Sequence, residues 1–345
     1  MDHYAGVDVS LATSSVCILD ATGRIIQAAK ITSEPEALAA FLSGCGHHLV
    51  RIGLEAGPLS QWLYAGLVDA GLPAVLVETR QVTAALSAIR VKTDRNDARG
   101  IAQLIRMGWF QPVHAKAVPA QEVRLLLSAR KQIQSKLLDL EGGIRGLLRG
   151  FGLKIGPIGA AGFERRVREL VAGQATLERV MEPMLRARQA LRAEYMTLHR
   201  EVLRIARNDD VCRRLMTVPG VGAVVALTFT SAVDDPARFR HAKSVGAHFG
   251  LTPRKYQSGE TDRTGRICKA GDAMVRSMLF EAANAMLTRV VRLSALKAWA
   301  MRIAARHGMA KAKVALARKL AVVMHRMWVD GSEFRWGRAA AAPVA

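Results

Sequence analysis

The sequence predicts an α/β domain followed by two mainly helical regions. Three observations support this division. Residues 1–114 alternate short apolar runs with turn residues and helical patterns, residues 115–210 carry long helical periodicity, and residues 211–335 combine short helices with many basic side chains. Strands that alternate with helices are typical of a sheet with parallel members covered by helices. We expect a disordered tail over residues 336–345.

The first region begins with a predicted three-stranded meander. Its strands lie near residues 4–10, 14–20 and 24–31, and residues 20–23 have the composition of a tight hairpin turn. The elements expected after it are a helix at 35–42, a strand at 49–55, a helix at 58–71, a strand at 73–78 and a helix at 80–90. The order β-β-β-α-β-α-β-α is that of the ribonuclease-H-like (RuvC-like) fold.

The middle region predicts two long helices that fold back on each other. Apolar residues recur at alternating spacings of four and three over residues 126–151 and again over 177–205, as the seam of a coiled coil requires. The Gly-rich segment 152–162 links them into an antiparallel coiled-coil arm. Each series contains one arginine, Arg130 or Arg188, a polar position that can fix register or partner number. An intramolecular hairpin and an intermolecular assembly role both stay open.

The last region is expected to be helical and basic. We expect helices near 211–217, 222–233, 243–249, 271–290 and 309–328, with a long polar loop over residues 252–272. The chain carries a net charge of +21, and residues 211–345 hold 23 Lys and Arg against 8 Asp and Glu. Residues 1–114 hold 9 against 10. A surplus of this size favours nucleic acid as the partner over an anionic membrane.

Several classes of protein are disfavoured by the composition. The four cysteines are scattered, so neither a disulfide framework nor a zinc site is indicated. Apolar runs stay well below the ~18 residues of a membrane span, and the first residues lack a charged flank followed by an apolar signal core. We therefore expect a soluble protein in the cytoplasm, where DNA and RNA are found.

Four carboxylates fall at the places where this fold brings its elements together. Strand alternation separates Asp8 from its apolar neighbours, and Glu55 ends a later strand, at the sheet edge where open α/β sheets place their chemistry. Asp94 and Asp97 lie three residues apart at the start of a helix and face the same side. Each close pair costs about 4 kcal/mol in repulsion at an effective dielectric constant near 20. A hard divalent cation relieves that repulsion, which predicts a Mg²⁺ site.

The basic region contains two candidate nucleic-acid contacts. Gly220 and Gly222 in "TVPGVG" have the pattern of a helix-hairpin-helix turn, in which backbone amides meet a phosphate. The polar loop supplies a cluster of positive charges that would hold a phosphodiester: Arg254, Lys255, Arg263, Arg266 and Lys269. Aromatic residues are only 5% of the chain, which argues against base stacking as the main form of sequence recognition.

These motifs resemble the DEDD-type insertion-sequence transposases related to the Piv site-specific invertase. The likeness rests on "GVDVS", "GLEAG" and "KTDRNDARGIAQLIR" for the acidic motifs and on "TVPGVG" with "FGLTPRKYQSGETDRTGRICKAGDAMVRSMLFEAA" for a C-terminal serine transposase domain. It implies a metal-binding tetrad of Asp8, Glu55, Asp94 and Asp97 and a nucleophilic serine, best matched by Ser258. Ser244, Ser277 and Thr261 lie close by in the sequence.

The resemblance also implies a function and partners. It implies a recombinase of a mobile element that cuts and rejoins donor and target DNA through a phosphoserine intermediate, guided by a bridge RNA. Exchange of two duplexes takes several cleavages, so we expect a homo-oligomer, a dimer or a tetramer. The first alternative is a metal-dependent, junction-resolvase-like nuclease in which activated water attacks. The second is a scaffold that binds nucleic acid without catalysis.

Overall fold

The structure is a computed structural model that describes residues 1–87 and 91–337 in two compact units. The first unit is Met1–Lys116, and the second begins at Ala117. Residues 338–345 of the expected tail lie outside the described residues. The division of the chain at residues 114 and 210 stays a prediction.

The first unit is a five-stranded mixed sheet flanked by helices. Its elements are β1 (His3–Asp8), β2 (Thr13–Asp20), β3 (Ile25–Thr32), α1 (Pro35–Ser43), β4 (Leu49–Glu55), α2 (Ser60–Asp69), β5 (Ala74–Val77), α3 (Thr79–Leu86) and α4 (Asp94–Arg106). The strand order is β3-β2-β1-β4-β5; the first three strands are antiparallel, and β4 and β5 run parallel to β1. The mixed sheet with helices and the predicted order of elements are therefore confirmed.

Helices cover the two faces of this sheet differently. Helices α1 and α2 pack on one face, where Leu38, Leu42, Leu63 and Leu67 bury themselves against apolar strand residues such as Val7. Helix α4 packs on the other face, against β1, β2 and β4. Strand β3 is left uncovered on the α4 side, since its residues alternate between half-buried and exposed.

Two glycines let α4 lie directly on the sheet. Gly6 of β1 and Gly53 of β4 are paired across the parallel strands. A Cβ atom at Gly6 would lie 2.3 Å from the backbone oxygen of Ala98 and 2.3 Å from the backbone nitrogen of Ala102. At Gly53 it would lie 2.4 Å from Cγ1 of Ile105. Side chains at these two positions would force the helix away from the strands.

The second unit is mainly helical. Its elements are α5 (Val118–Arg149), α6 (Phe163–Val171), α7 (Ala175–Asn208), α8 (Asp210–Leu215), α9 (Ala223–Val233), α10 (Ala242–His248), β6 (Pro253–Ser258), β7 (Thr261–Ile267), α11 (Ala273–Thr288), α12 (Ala295–His307) and α13 (Met309–Asp330). Helices α6 and α12 are absent from the sequence prediction. Helix α12 does carry an apolar stripe, with Ala300 buried and Leu296, Trp299 and Ile303 partly buried against the core. Within the described residues, no helix is long and apolar enough to cross a bilayer.

Helices α5 and α7 pack along most of the predicted apolar series. Ile144 on α5 and Met181 and Val202 on α7 are buried. At the end of α5, however, Leu148 is buried, whereas Leu147 and Phe151 are 50% and 65% exposed. The predicted register is wrong there, because a strict seven-residue repeat drifts around a helix of 3.6 residues per turn. The coiled-coil arm and its role in assembly stay predictions.

The arginine predicted within the α7 series is buried in a polar network. The Arg188 guanidinium is fully buried and donates to Glu141 on α5 and Glu164 on α6, each at 2.8 Å, and to the backbone oxygen of Ala160 at 3.0 Å. Its charge also lies 4.6 Å from the centroid of the Phe163 ring. One side chain thus ties three helices together.

The remaining helices share one apolar core with the adjoining parts of α5 and α7. Leu127 and Val202 from the two long helices pack in the same cluster as Phe229, Phe249 and Leu316. The polar stretch predicted as a loop over residues 252–272 is instead largely an antiparallel hairpin of β6 and β7. The loop prediction is wrong because nearly all the hairpin side chains are exposed, so the strands show no alternation of apolar and polar residues.

The close approach of α4 to β1 can be tested with Gly6→Ala. We expect this variant to lose about 1–3 kcal/mol of unfolding free energy, because the added methyl group has only backbone to displace. Denaturant unfolding measures the loss. The matched control is Gly142→Ala on α5, where an added Cβ meets nothing within 4 Å. Alanine favours a helix over glycine by about 1 kcal/mol, so the control should be as stable as wild type or more so. Equal stability of Gly6→Ala and wild type would contradict this packing.

The buried arginine network can be tested with Arg188→Met. Removing the guanidinium leaves the Glu141 and Glu164 carboxylates near each other without their partner, so we expect a loss of about 3–5 kcal/mol in chemical denaturation. Replacing both glutamates by glutamine in the Arg188→Met background should recover part of that loss. A triple variant no more stable than Arg188→Met would count against the paired-charge explanation.

Candidate functional site

Asp8 and Glu55 lie side by side at one edge of the sheet. Each is the last residue of its strand, and the parallel register pairs Val7 with Leu54 immediately before them. Strand β1 therefore ends at Asp8 instead of continuing to residue 10 as predicted. Because side chains alternate along a strand, Asp8 faces the same side as Gly6, and Glu55 the same side as Gly53. Both carboxylates therefore face α4, and both are half-buried.

The first turn of α4 lies at the same edge. Thr93 caps the helix by accepting a hydrogen bond from the backbone nitrogen of Asn96 at 3.2 Å, so Asp94 begins the helix and Asp97 follows one turn later. Residues 98 and 102 lie over Gly6, and the helix start lies beyond them, in the direction of Asp8. We call Asp8, Glu55, Asp94 and Asp97 the acidic edge.

The electrostatics of the acidic edge show that its charges act on one another. Burial raises the pKa of Asp8 from 3.8 to about 6, with further contributions from the Asp97 and Asp94 charges and an opposing one from Lys92. Burial also raises the pKa of Glu55, with repulsion from Asp8 as the second cause. At neutral pH the edge therefore holds negative charge that the fold itself only partly offsets.

The donor set fits a hard cation, although the side chains do not converge on one point. Across residues 1–87 and 91–337, no group of three or more His, Cys, Asp or Glu side chains is arranged to hold a metal ion. Asp94 is 58% exposed, and its Oδ2 lies 3.8 Å from Nζ of Lys30 on β3. Two carboxylates whose pKa values are raised first by burial and then by neighbouring carboxylate charges, with two more carboxylates at the start of α4, are nevertheless a donor set that suits Mg²⁺. The tetrad as a metal site stays a proposal.

The predicted nucleophile lies on the hairpin of the second unit. Ser258 pairs with Thr261 at the end of the hairpin, next to the two-residue connection at Gly259, whose φ is +54°. The serine is exposed. The hairpin also carries exposed basic residues named from the sequence: Arg254, Lys255, Arg263 and Arg266.

The remaining predicted contacts lie at the ends of this hairpin and of α9. Lys255 forms an ion pair with Asp262 on the facing strand at 3.0 Å, and Lys269, beyond β7, has a φ of +57°.

The two glycines predicted to contact phosphate precede α9. Gly220 has a positive φ, +86°, and a Cβ there would lie 2.5 Å from the backbone oxygen of Ala282, so packing accounts for this glycine. Gly222 precedes α9, and an added Cβ there meets nothing within 4 Å. Phosphate binding by these residues stays a prediction.

Sequence reasoning missed two basic residues beside the acidic edge. Lys30 pairs with Asp94, and Arg95 follows Asp94 on α4; both line a cleft next to the edge. Lys30 is placed by the pairing of β3 with β2, which sets it opposite Ser15. The hairpin predicted between β2 and β3 was the only signal for the position of Lys30. Counting residue pairs outward from its turn fails, because the pairing shifts by one residue between Ile18 and Leu19.

The raised pKa of Asp8 predicts how stability depends on pH. Because the folded-state value is about 6 and the ordinary value is 3.8, the stability from this group is fully present below about pH 4 and is lost as pH rises through 6. Asp8→Asn mimics the neutral acid. We expect it to melt at a higher temperature than wild type at neutral pH, and the difference to shrink as pH is lowered.

The control for this melting experiment is Asp69→Asn on α2. Asp69 is exposed and lies outside the acidic edge, so its replacement should bring no stability gain that grows with pH. Differential scanning calorimetry across the acid-to-neutral range measures both variants. A difference in melting temperature between wild type and Asp8→Asn that stays the same at every pH would contradict the buried charge.

Comparison with known proteins agrees with the motifs at both ends of the chain. A model described as a transposase, DEDD_Tnp_IS110, matches residues 5–152, and one for the transposase IS116/IS110/IS902 family matches residues 212–300. The transposase for insertion sequence element IS1111A of Coxiella burnetii is 29% identical over 96% of this chain and 91% of its own length. A putative transposase of Sinorhizobium fredii, y4pF/y4sB, is 27% identical over 71% of this chain and 65% of its own length.

Solved structures similar to this chain include Thermus thermophilus RuvC. It is 15% identical, with a TM-score of 0.25, over 32% of this chain and 99% of RuvC. The family models match the acidic motifs and the C-terminal region separately, and the Coxiella relative spans nearly the whole chain. The two family models and this relative therefore support the assignment of the chain to the DEDD-type insertion-sequence transposases.

Proposed function

We propose that this transposase cuts and rejoins the DNA of its insertion sequence by a metal-assisted serine nucleophile. The observation that carries the proposal is the acidic edge, where Asp8 and Glu55 end adjacent parallel strands and the start of α4 adds two more carboxylates. Half-buried carboxylates whose pKa values are raised by burial and further by neighbouring carboxylate charges are typical of functional sites.

The acidic edge would hold the cation of the reaction. Its carboxylates supply hard oxygen ligands, and bound Mg²⁺ would neutralise charge that develops on the phosphate oxygens. Asp8 and Glu55 are fixed by the sheet, whereas Asp94 is largely exposed and pairs with Lys30. We infer that Asp8 and Glu55 form the rigid half of the site and that the two α4 carboxylates complete it.

Ser258 would carry the covalent step. Its oxygen attacks the scissile phosphorus, and the phosphorus–oxygen bond to one DNA strand breaks as the phosphoserine ester forms; the serine proton passes to the departing DNA oxygen, which leaves as a free hydroxyl. A hydroxyl of the new DNA partner then attacks the ester and returns the serine. Each step exchanges one phosphate ester for another, so rejoining needs no ATP. The exposed position of Ser258, on a hairpin that also carries the exposed Arg254 and Arg263, suits an attack on a phosphodiester.

The partners of the reaction follow from charge and composition. The excess of basic residues beyond residue 211 supports binding of the DNA backbone, and the low aromatic content of 5% is consistent with sequence choice by another molecule. We propose that a bridge RNA supplies that choice and that the protein works as a homo-oligomer. Sequencing of RNA that copurifies with the protein tests the first point, and absence of RNA with DNA exchange intact would refute it.

The alternative function is a metal-dependent, structure-specific nuclease in which activated water attacks the phosphate. The observation in its favour is that all four carboxylates of the acidic edge lie within the first unit, so the metal chemistry needs nothing from the hairpin. Under this alternative, Ser258 is an ordinary turn residue next to Gly259.

Ser258→Ala distinguishes the two functions. We expect this variant to form no covalent protein–DNA adduct on denaturing gels and to exchange no strands, because the phosphoserine ester cannot form. Ser244→Ala and Thr261→Val, which remove neighbouring hydroxyl groups, should keep the adduct. Asp8→Asn should abolish both cleavage and adduct. Normal DNA cleavage by Ser258→Ala, together with no adduct in wild type, would establish the nuclease instead.

A further inference from the structure

A groove in the first unit adjoins the acidic edge at Asp94, and the rest of its lining has no role in the reaction described above. It runs between α4 and the edge strand β3 as an open cleft of about 370 Å³. Its lining includes Ser15, Ala28, Lys30, Thr93, Asp94 and Arg95. We call it the β3 groove.

Strand register connects the β3 groove to the acidic edge. Lys30 pairs with Ser15, and Ser15 pairs with Asp8, so these three side chains form a row across the same face of the sheet. That face is the one covered by α4, because Asp8 lies two residues beyond Gly6. With strands about 4.8 Å apart, Lys30 lies roughly 10 Å from Asp8 along the row.

The groove exists because α4 covers β1 and β2 but not β3. Its floor is made of small side chains, Ser15 and Ala28, the second of which is exposed. At the far end, Gln103 donates to the backbone oxygen of Gly23 at 3.0 Å and Arg106 donates to that of Ala21 at 3.1 Å. These two hydrogen bonds join α4 to the β2–β3 turn and close the groove there, which leaves its opposite end at the acidic edge.

Positive charge lines both walls of the groove. The Lys30 side chain on β3 is 62% exposed and lies 3.8 Å from the Asp94 carboxylate. Arg95 is on the α4 wall, and Arg99 follows one turn later on the same side of the helix. Burial raises the pKa of the Cys17 thiol on β2, and the Arg99 and Arg95 charges oppose that rise, so both guanidinium groups act on the strand beneath the groove.

We propose that the β3 groove binds the backbone of the DNA strand to be cut, with Lys30 and Arg95 as its phosphate-binding residues. This inference rests on the proposed function of the acidic edge. A phosphodiester chain needs a floor without bulky side chains and cations at its sides, and the groove offers both. Lys30 pairs with Asp94 in the free protein and exchanges that partner for a phosphate oxygen when the strand binds. The bound strand then runs toward Asp8.

Lysine acetylation tests whether Lys30 meets the strand. In free wild-type protein, sulfo-NHS acetate should modify Lys30 readily because the side chain is exposed. A short oligodeoxythymidine should slow that modification several-fold, as measured by mass spectrometry of the peptide that contains residues 25–30. The matched control is a methylphosphonate oligonucleotide of the same sequence, whose uncharged backbone should protect Lys30 little. Equal acetylation with and without the charged strand, or equal protection by the uncharged one, would overturn the proposal.

Variants test the contribution of the groove to binding. Lys30→Gln should reduce the slope of log affinity against log salt by about 1, the value expected for one lost phosphate contact, and should raise the KM of cleavage more than it lowers kcat. Lys30→Arg should restore both values. Arg24→Gln removes one exposed charge at the opposite end of β3 and should behave as wild type. Unchanged salt slope and KM in Lys30→Gln would refute the phosphate contact.

Two measurements together, cleavage by Asp8→Asn and acetylation of Lys30, distinguish failure of the groove proposal from failure of the proposed function. If Asp8→Asn abolishes cleavage while Lys30 is acetylated equally with and without DNA, the groove is refuted and the acidic edge is not. If DNA protects Lys30 while Asp8→Asn still cleaves, the role of the acidic edge is refuted and the groove is supported.

Discussion

The close approach of α4 to the sheet is the constraint on which the candidate site depends. The helix backbone rests on β1 because Gly6 has no side chain, and the Ile105 side chain of the helix occupies the space above Gly53 of β4. Residues two positions further along these strands, Asp8 and Glu55, therefore face the helix beyond the point of contact. The same contact fixes the start of α4 over them. One steric condition thus places carboxylates from three separate segments at one edge, before any charge interaction contributes.

Most of the acidic edge was predictable because local signals mark the end of β4 and the start of α4, whereas the end of β1 was placed two residues too late. Thr93 caps α4 immediately before Asp94, and Glu55 is followed by a break in the strand pattern. Lys30 was not predictable in the same way. Its face depends on the register between β2 and β3, and the irregularity after Ile18 changes that register by one residue. A shift of one residue moves a side chain to the other face of a sheet, so composition and periodicity cannot place it.

The second unit shows a similar division between local and long-range information. The apolar repeat predicted α5 and α7, and it correctly marked Arg188 as a polar residue at a buried position. The partners of Arg188 could not be predicted from the sequence, because one of them, Glu164, lies on α6, a short helix that follows a Gly-rich segment. The β6–β7 hairpin was missed for another reason. Its side chains are exposed on both faces, so no buried face imposes a pattern on the sequence.

The distribution of charge separates attraction to nucleic acid from the chemistry at the acidic edge. Residues 211–345 carry most of the excess positive charge, whereas residues 1–114 are close to neutral. A general basic surface in the first unit would compete with a cation for the carboxylates. Proton uptake by Asp8 and the pairing of Lys30 with Asp94 instead reduce the repulsion locally. Both compensations are reversible, because a cation, if bound, would displace the proton from Asp8, and a phosphate would replace Asp94 as the partner of the Lys30 ammonium group. Under the proposed function, cation binding at this edge would therefore be coupled to pH and to the strand in the β3 groove.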